Sequence, residues 1–246
     1  MSTETRGDLK FSGSMTTPGG MYKRVDINGN VTFDGDLDCL DFHVNGIGAV
    51  ARSLKSGNTR VNGSLNVNGN VIGGDLDVNG ECRIDGCLAV EETKARGKLN
   101  VRGDCATDKL DVFGQMEIRG NCDAEKFVCK GSFEIEDTLN AEDITINLYG
   151  TSRVKEIVGS KITVMLARGD RLGKFFVALF NTLDFRKAHL VVELIEGDEI
   201  RLEQTSVKVV RGNRVTVGDG CEIDLVEYRD SFDKTSDASV LKHVKI

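Results

Sequence analysis

Apolar and polar residues alternate along most of this chain. The stretch Leu76-Asp-Val78-Asn-Gly80-Glu-Cys82-Arg-Ile84-Asp-Gly86-Cys-Leu88-Ala-Val90 is representative, and it carries the period-two signature of half-buried strands. Glycines punctuate the alternation at a fixed distance: Gly29, Gly46, Gly63, Gly80, Gly97, Gly114 and Gly131 follow one another every 17 residues. A second ladder, six residues further on, holds Gly35, Gly69, Gly86, Gly103 and Gly120 and is interrupted by Arg52 and Asp137. A fixed period of this length is the mark of a repeat architecture.

Rungs set to begin at Val25, Phe42, Thr59, Leu76, Thr93, Leu110, Phe127 and Ile144 place apolar residues mainly at positions 1, 3, 7, 9, 13 and 15. Each rung therefore predicts three short strands of about five residues with two inward side chains apiece. Glycine turns two corners, and a polar residue such as Asp41, Asp75 or Glu92 turns the third. The fold this predicts is all-β, a single triangular parallel β-helix (solenoid) of 17-residue rungs. A β-meander competes for the Asn-Gly pairs at 28-29, 45-46, 62-63 and 79-80, which are strong hairpin signals. Hairpins, however, do not require the same residue at every third strand. Asn28, Asn45, Asn62 and Asn79 read instead as a side-chain amide ladder running up the stack.

Leu9, Phe11 and Gly13 form an earlier, 16-residue version of the rung, so the regular β-helix is expected over 9–165. An apolar excursion, helical or irregular, occupies 166–190. Less regular strands continue the coil over 191–228, and a polar tail is expected over 229–246.

Composition narrows the function. With 28 Gly, one Pro and 6% aromatic residues, the chain suits many identical tight corners. A net charge of -7 leaves no basic surplus to displace counterions, which argues against nucleic acid as a partner. Residues Met1 to Asp8 lack the apolar run of a secretory signal, and no stretch is long and apolar enough to span a membrane, so a cytoplasmic location is expected. Seven cysteines without a C-x-x-C pair fit neither a disulfide framework nor a zinc site. Cys82, Cys105, Cys122 and Cys129 fall at inward positions and read as core filler. No metal or cofactor is expected.

Gly46-Ile-Gly48-Ala-Val-Ala51 matches a dinucleotide fingerprint on paper, but Gly46 belongs to the corner ladder and no helix follows, and no P-loop pattern is present. Hexapeptide-repeat acyltransferases are also triangular β-helices with an essential His base, yet their period is six and the one His of the regular region, His43, stands at an outward position. Outward charges such as Asp85 and Glu136 face Arg102 and Arg119 one rung away, a solvated face of alternating sign. The expectation is a protein that is not an enzyme.

An open coil differs from a closed barrel in presenting unpaired strand edges at its ends, which template another chain. Leu9, Phe11 and Met15 mark one such end, and Ile223, Leu225 and Tyr228 lie near the other. Together they form the expected polymer interface of a homopolymer; a capped monomeric adaptor is the alternative. Phe175, Phe176, Val177, Leu179 and Phe180, flanked by Arg168, Arg171, Lys174, Arg186 and Lys187, form the candidate membrane or partner contact.

The Gly-cornered short rung, together with Glu196-Gly-Asp-Glu-Ile200, Val209-Val-Arg-Gly212 and Gly218-Asp-Gly-Cys-Glu-Ile-Asp-Leu-Val-Glu-Tyr228, resembles the bactofilins, polymer-forming cytoskeletal β-helix proteins, in their longer form. The resemblance implies a right-handed coil and nucleotide-independent, non-polar filaments. It also implies a paralogous bactofilin as partner, peripheral contact with the inner face of the cell membrane, and a scaffolding role in cell shape or motility. The chain departs from the commoner short form in lacking Pro-rich tails.

Overall fold

The computed structural model describes residues 6–167 and 188–246. Every regular element among them is a strand, every strand pairing given in register is parallel, and the fold is a parallel β-solenoid of about 13 turns. The chain divides into two compact units, Met1–Asp108 and Lys109–Ile246.

In the first unit short and long strands alternate: β1 (Gly7–Phe11), β2 (Ser14–Thr17), β3 (Gly20–Ile27), β4 (Asn30–Phe33), β5 (Leu37–Val44), β6 (Ile47–Val50), β7 (Leu54–Val61), β8 (Ser64–Val67), β9 (Val71–Val78), β10 (Glu81–Ile84), β11 (Leu88–Ala95) and β12 (Lys98–Val101). β13 (Cys105–Val112) begins in this unit and ends in the next. The register is the sequence period itself, with Leu37 on Leu54 on Val71 on Leu88 and Phe42 on Thr59 on Leu76 on Thr93. At the start Leu9 pairs with Val25 and Met15 with Val31, the 16-residue rung expected there.

The expected three strands per rung are realised as a four-residue strand and an eight-residue strand bent at one point. Pairing skips a single position at Leu40, Gly57, Gly74 and Glu91, one residue before the polar positions assigned to the third corner. One unpaired residue is enough to turn the backbone, so the two flanking faces stay joined in one strand.

Inward positions carry the core. Val25, Phe42, Leu54, Val61, Leu65, Leu76, Ile84 and Leu88 are all buried, as the alternation requires. Thr93 is an exception in kind: its side chain is fully buried between Leu76 and a following apolar rung position, and its Oγ1 has no hydrogen-bond partner. Thr93→Val keeps the shape and removes an unsatisfied hydroxyl, so it is expected to stabilise the protein by about 1 kcal/mol in urea unfolding.

The second unit continues with β14 (Gln115–Ile118), β15 (Cys122–Leu148), β16 (Thr151–Leu166), β17 (His189–Leu202), β18 (Thr205–Val217), β19 (Glu222–Lys234) and β20 (Ser239–Lys245). From β15 to β19 its strands are longer because pairing runs on through the corners. The spacing also drifts: Ile144 pairs with Ile162, Ile200 with Val215, and Ser206 with Glu222. Ile162 pairs directly with Ile200, so the excursion is inserted between two adjacent rungs.

Residues 229–246 are not a frayed polar tail. β19 runs on to Lys234 and β20 pairs along it, Ile223 with Val240 and Tyr228 with Lys245. This last rung reads as polar because only Phe232, Ala238, Val240 and Val244 are partly or fully buried and the rest is exposed.

Candidate assembly surfaces

The start of the first unit exposes the ends of its core columns. Leu9 lies on Val25, Phe11 on Ile27, and Met15 on Val31, each of the lower residues being fully buried or nearly so. Leu9 and Phe11 are half-buried, Met15 is 40% exposed and Met21 48%. β1 pairs with β3 and β2 with β4; among the described residues no strand lies on the outer edge of either. The three residues expected at this end thus lie on two strands, β1 and β2, whose outer sides carry no strand among the described residues.

The expected residues of the other end stand one strand short of it. Ile223 is buried beneath Val240, while Leu225 and Tyr228 are half-buried and pair with Lys242 and Lys245 of β20. The terminal rung itself carries an aromatic cluster. Phe232 lies 5.6 Å from Tyr228 and 5.0 Å from the His243 ring, and Tyr228 stacks over His243 at 6.5 Å. Phe175, Phe176, Val177, Leu179 and Phe180 lie outside the described residues.

Side-chain ladders hold the rungs in register. Asn45 Nδ2 donates to Asn28 Oδ1 (2.9 Å), Asn62 to Asn45 (2.8 Å) and Asn79 to Asn62 (3.1 Å), as the repeated Asn predicted; Arg96 ends the ladder by donating to Asn79 Oδ1 (3.0 Å). A second ladder repeats no single residue type in the sequence. The backbone amide of Ser53 donates to Asp36 Oδ1, that of Asn70 to Ser53 Oγ, and that of Cys87 to Asn70 Oδ1, at 2.9, 3.2 and 2.9 Å. Arg102 meets Asp85 at 3.2 Å, and Arg119 lies 4.0 Å from Glu136, the alternating charge expected on the outward face. In the second unit Arg211 bridges Glu196 (3.2 Å) and Glu227 (2.8 Å), and Arg214 binds Glu199. Glu199 is held below the usual carboxylate range by its hydrogen bond from Arg214.

His43 belongs to a surface ion cluster. Its Nδ1 lies 3.2 Å from Asp26 Oδ1 and 3.1 Å from Arg24 Nη2. His189, beside Ser206 Oγ at 2.7 Å, is shifted to lower pKa by burial. Among the described residues no group of three His, Cys, Asp or Glu side chains stands close enough to hold a metal ion.

Six cysteines are buried and Cys87 is exposed. Burial pushes the Cys82 and Cys129 thiols up to about 12, and those of Cys39 and Cys221 to about 11. Thiolate is the reactive form. In the folded protein at pH 8 a thiol reagent is therefore expected to label Cys87 rapidly, with the buried thiols reacting only after denaturant is added; rapid labelling of Cys82 or Cys129 in native buffer would contradict their place in the core.

Against known proteins, the chain is 38% identical over 91 residues to YhbF of Bacillus subtilis, an alignment covering 37% of this chain and 34% of that protein. It is 35% identical over 109 residues to YhbE of the same organism, covering 44% of this chain and 43% of the relative. Both relatives are described as uncharacterised, and the chain spans less than half the length of either. No family model and no solved structure matches the chain.

Proposed function

We propose that this chain is a non-enzymatic, nucleotide-independent, polymer-forming cytoskeletal scaffold of the bactofilin kind. It acts in the cytoplasm, peripherally at the inner face of the membrane, and supports cell-shape or motility machinery. The observation that carries the reading is the first rung, where the apolar columns through Leu9, Phe11 and Met15 end on strands with an unpaired outer edge among the described residues. A parallel ladder whose edge is free and whose core is apolar lowers its free energy by adding a further strand, whether from its own chain or another. A second copy supplies both the hydrogen-bonding edge and the matching apolar side chains. No helix among the described residues is long and apolar enough to cross a membrane, so the membrane contact in this proposal is assigned to the apolar run 175–180. A paralogous chain with the same edge is the natural co-polymer.

The test is negative-stain electron microscopy of the untagged full chain without nucleotide, beside Phe11→Arg. Filaments or end-to-end oligomers are expected for the native chain and monomers for the variant, because a guanidinium would be buried without a partner at the junction. A uniform monomer in both samples overturns the scaffold reading in favour of a capped adaptor.

A further inference from the structure

Four of the Asn-Gly steps stack in the first unit: Asn28-Gly29, Asn45-Gly46, Asn62-Gly63 and Asn79-Gly80. Asparagine before glycine is the pair most open to attack on the side-chain amide by the following backbone nitrogen, because glycine has no Cβ to shield that nitrogen. The fold cannot replace these glycines, since a methyl group at any of the four would run into the carbonyl oxygen of the glycine one rung earlier. The corner therefore keeps four labile steps, and what touches each asparagine decides how it behaves.

Three of the side-chain carbonyls accept a neutral amide: Asn28 Oδ1 from Asn45, Asn45 Oδ1 from Asn62, and Asn62 Oδ1 from Asn79. Asn79 Oδ1 accepts instead from a cation, Arg96 Nη1, at 3.0 Å. The same nitrogen is anchored to Asp77 Oδ1 at 2.7 Å, which holds the guanidinium against the Asn79 carbonyl. In other respects the sites are matched. All four asparagines are exposed, each is followed by a half-buried glycine, and Asn45, Asn62 and Asn79 are each preceded by a valine, Val44, Val61 and Val78. Contact with Arg96 is what sets Asn79 apart.

We infer that Asn79-Gly80 is a self-modification site, at which Arg96 promotes conversion of the asparagine to aspartate or isoaspartate. The Gly80 nitrogen attacks Asn79 Cγ and a C–N bond forms, while the carbonyl oxygen takes up negative charge facing the guanidinium. The Cγ–Nδ2 bond then breaks, Nδ2 leaves as ammonia with the proton lost from the Gly80 amide, and a cyclic imide remains. Water opens the imide at either carbonyl, giving aspartate or isoaspartate. A donor placed where negative charge develops lowers the barrier, and a charged donor does so more than a neutral one. Either product is a carboxylate that cannot donate to Asn62 Oδ1, so the ladder is cut at this point. Isoaspartate also lengthens the backbone by one carbon directly before Gly80, beside the bond from the Glu81 amide to the Gly63 carbonyl (2.9 Å), and so loosens β10 from β8.

Peptide mass spectrometry on the full folded chain, incubated at about pH 8 and sampled over days, tests it by following the mass gain that marks exchange of ammonia for water at each Asn-Gly step. Asn79 is expected to convert about tenfold faster than Asn45 and Asn62, the difference a charged donor makes over a neutral one. Arg96→Met, with an unchanged circular dichroism spectrum, is expected to bring Asn79 down to the rate of Asn62. In urea, where the Arg96 contact is gone, Asn45, Asn62 and Asn79 of the native chain are expected to convert at similar rates. Equal rates at the three sites in the folded native chain, an Asn79 that stays fast in folded Arg96→Met, or an Asn79 that remains the fastest in urea would each overturn the inference.

Discussion

Gly63→Ala is expected to destabilise the protein by about 3 kcal/mol or more, the upper end of what overpacking costs. A methyl group at Gly63 would sit well under 3.0 Å from the Gly46 carbonyl oxygen, and the same holds for Gly46 on Gly29, Gly80 on Gly63 and Gly97 on Gly80. The carbonyl has no room to withdraw. It accepts the Ser64 amide at 2.9 Å, just as the Gly63 carbonyl accepts Glu81. Rotating it away to admit a methyl would break the rung-to-rung bond beside the substitution. None of these four residues has a positive φ, so the demand for glycine here comes from backbone approach and not from left-handed geometry. Urea unfolding followed by circular dichroism provides the measurement. Gly7→Ala serves as the control, because nothing lies within 4 Å of its added carbon and a surface change of that kind stays within about 0.5 kcal/mol. Equal midpoints for the two variants would remove the steric explanation of the ladder.

That ladder explains why so much of the fold was legible. A backbone contact that tolerates only hydrogen forces the same residue at every rung, and the period follows. Asn28, Asn45, Asn62 and Asn79 were legible for a related reason, since an amide both donates and accepts and so is best stacked on another amide. The ladder through Asp36, Ser53 and Asn70 was hidden because its donor is always a backbone amide. Any short side chain with an oxygen serves as acceptor, so identity need not repeat; a short polar residue directly after each second-ladder position was the available signal. The third corner was misplaced by one residue because a single skipped pairing requires no particular side chain, as Leu40, Gly57 and Glu91 illustrate. At the assembly surfaces, Leu9, Phe11 and Met15 could be read as columns continued one rung down. The strand β20 could not, because most of its side chains are exposed and it lacks the apolar alternation that marks a strand.

Phe42→Ala is expected to cost about 3–5 kcal/mol, as full truncation of a buried aromatic does. Phe42 is completely buried, meets Phe33 edge-on with ring centroids 6.3 Å apart, and is sandwiched in its column by Val25 and Thr59. Both sandwiching residues are short and β-branched, with restricted χ1 and too little reach to fill the space left behind. The backbone cannot close it either, because Phe42 stands in a strand paired on both sides. A solenoid adds a prediction about where the loss is felt. Each rung contacts only its neighbours, so stability is close to a sum of local terms. Amide hydrogen exchange in Phe42→Ala should therefore accelerate most in β3, β5 and β7, with β17 and β18 retaining native protection. Phe127→Ala, which removes the edge contact with Phe133 at 5.5 Å in the second unit, should loosen β15 and leave β5 protected. Uniform loss of protection in both variants would mean that the rungs melt as one cooperative block, and nearest-neighbour stacking would no longer account for the stability of this fold.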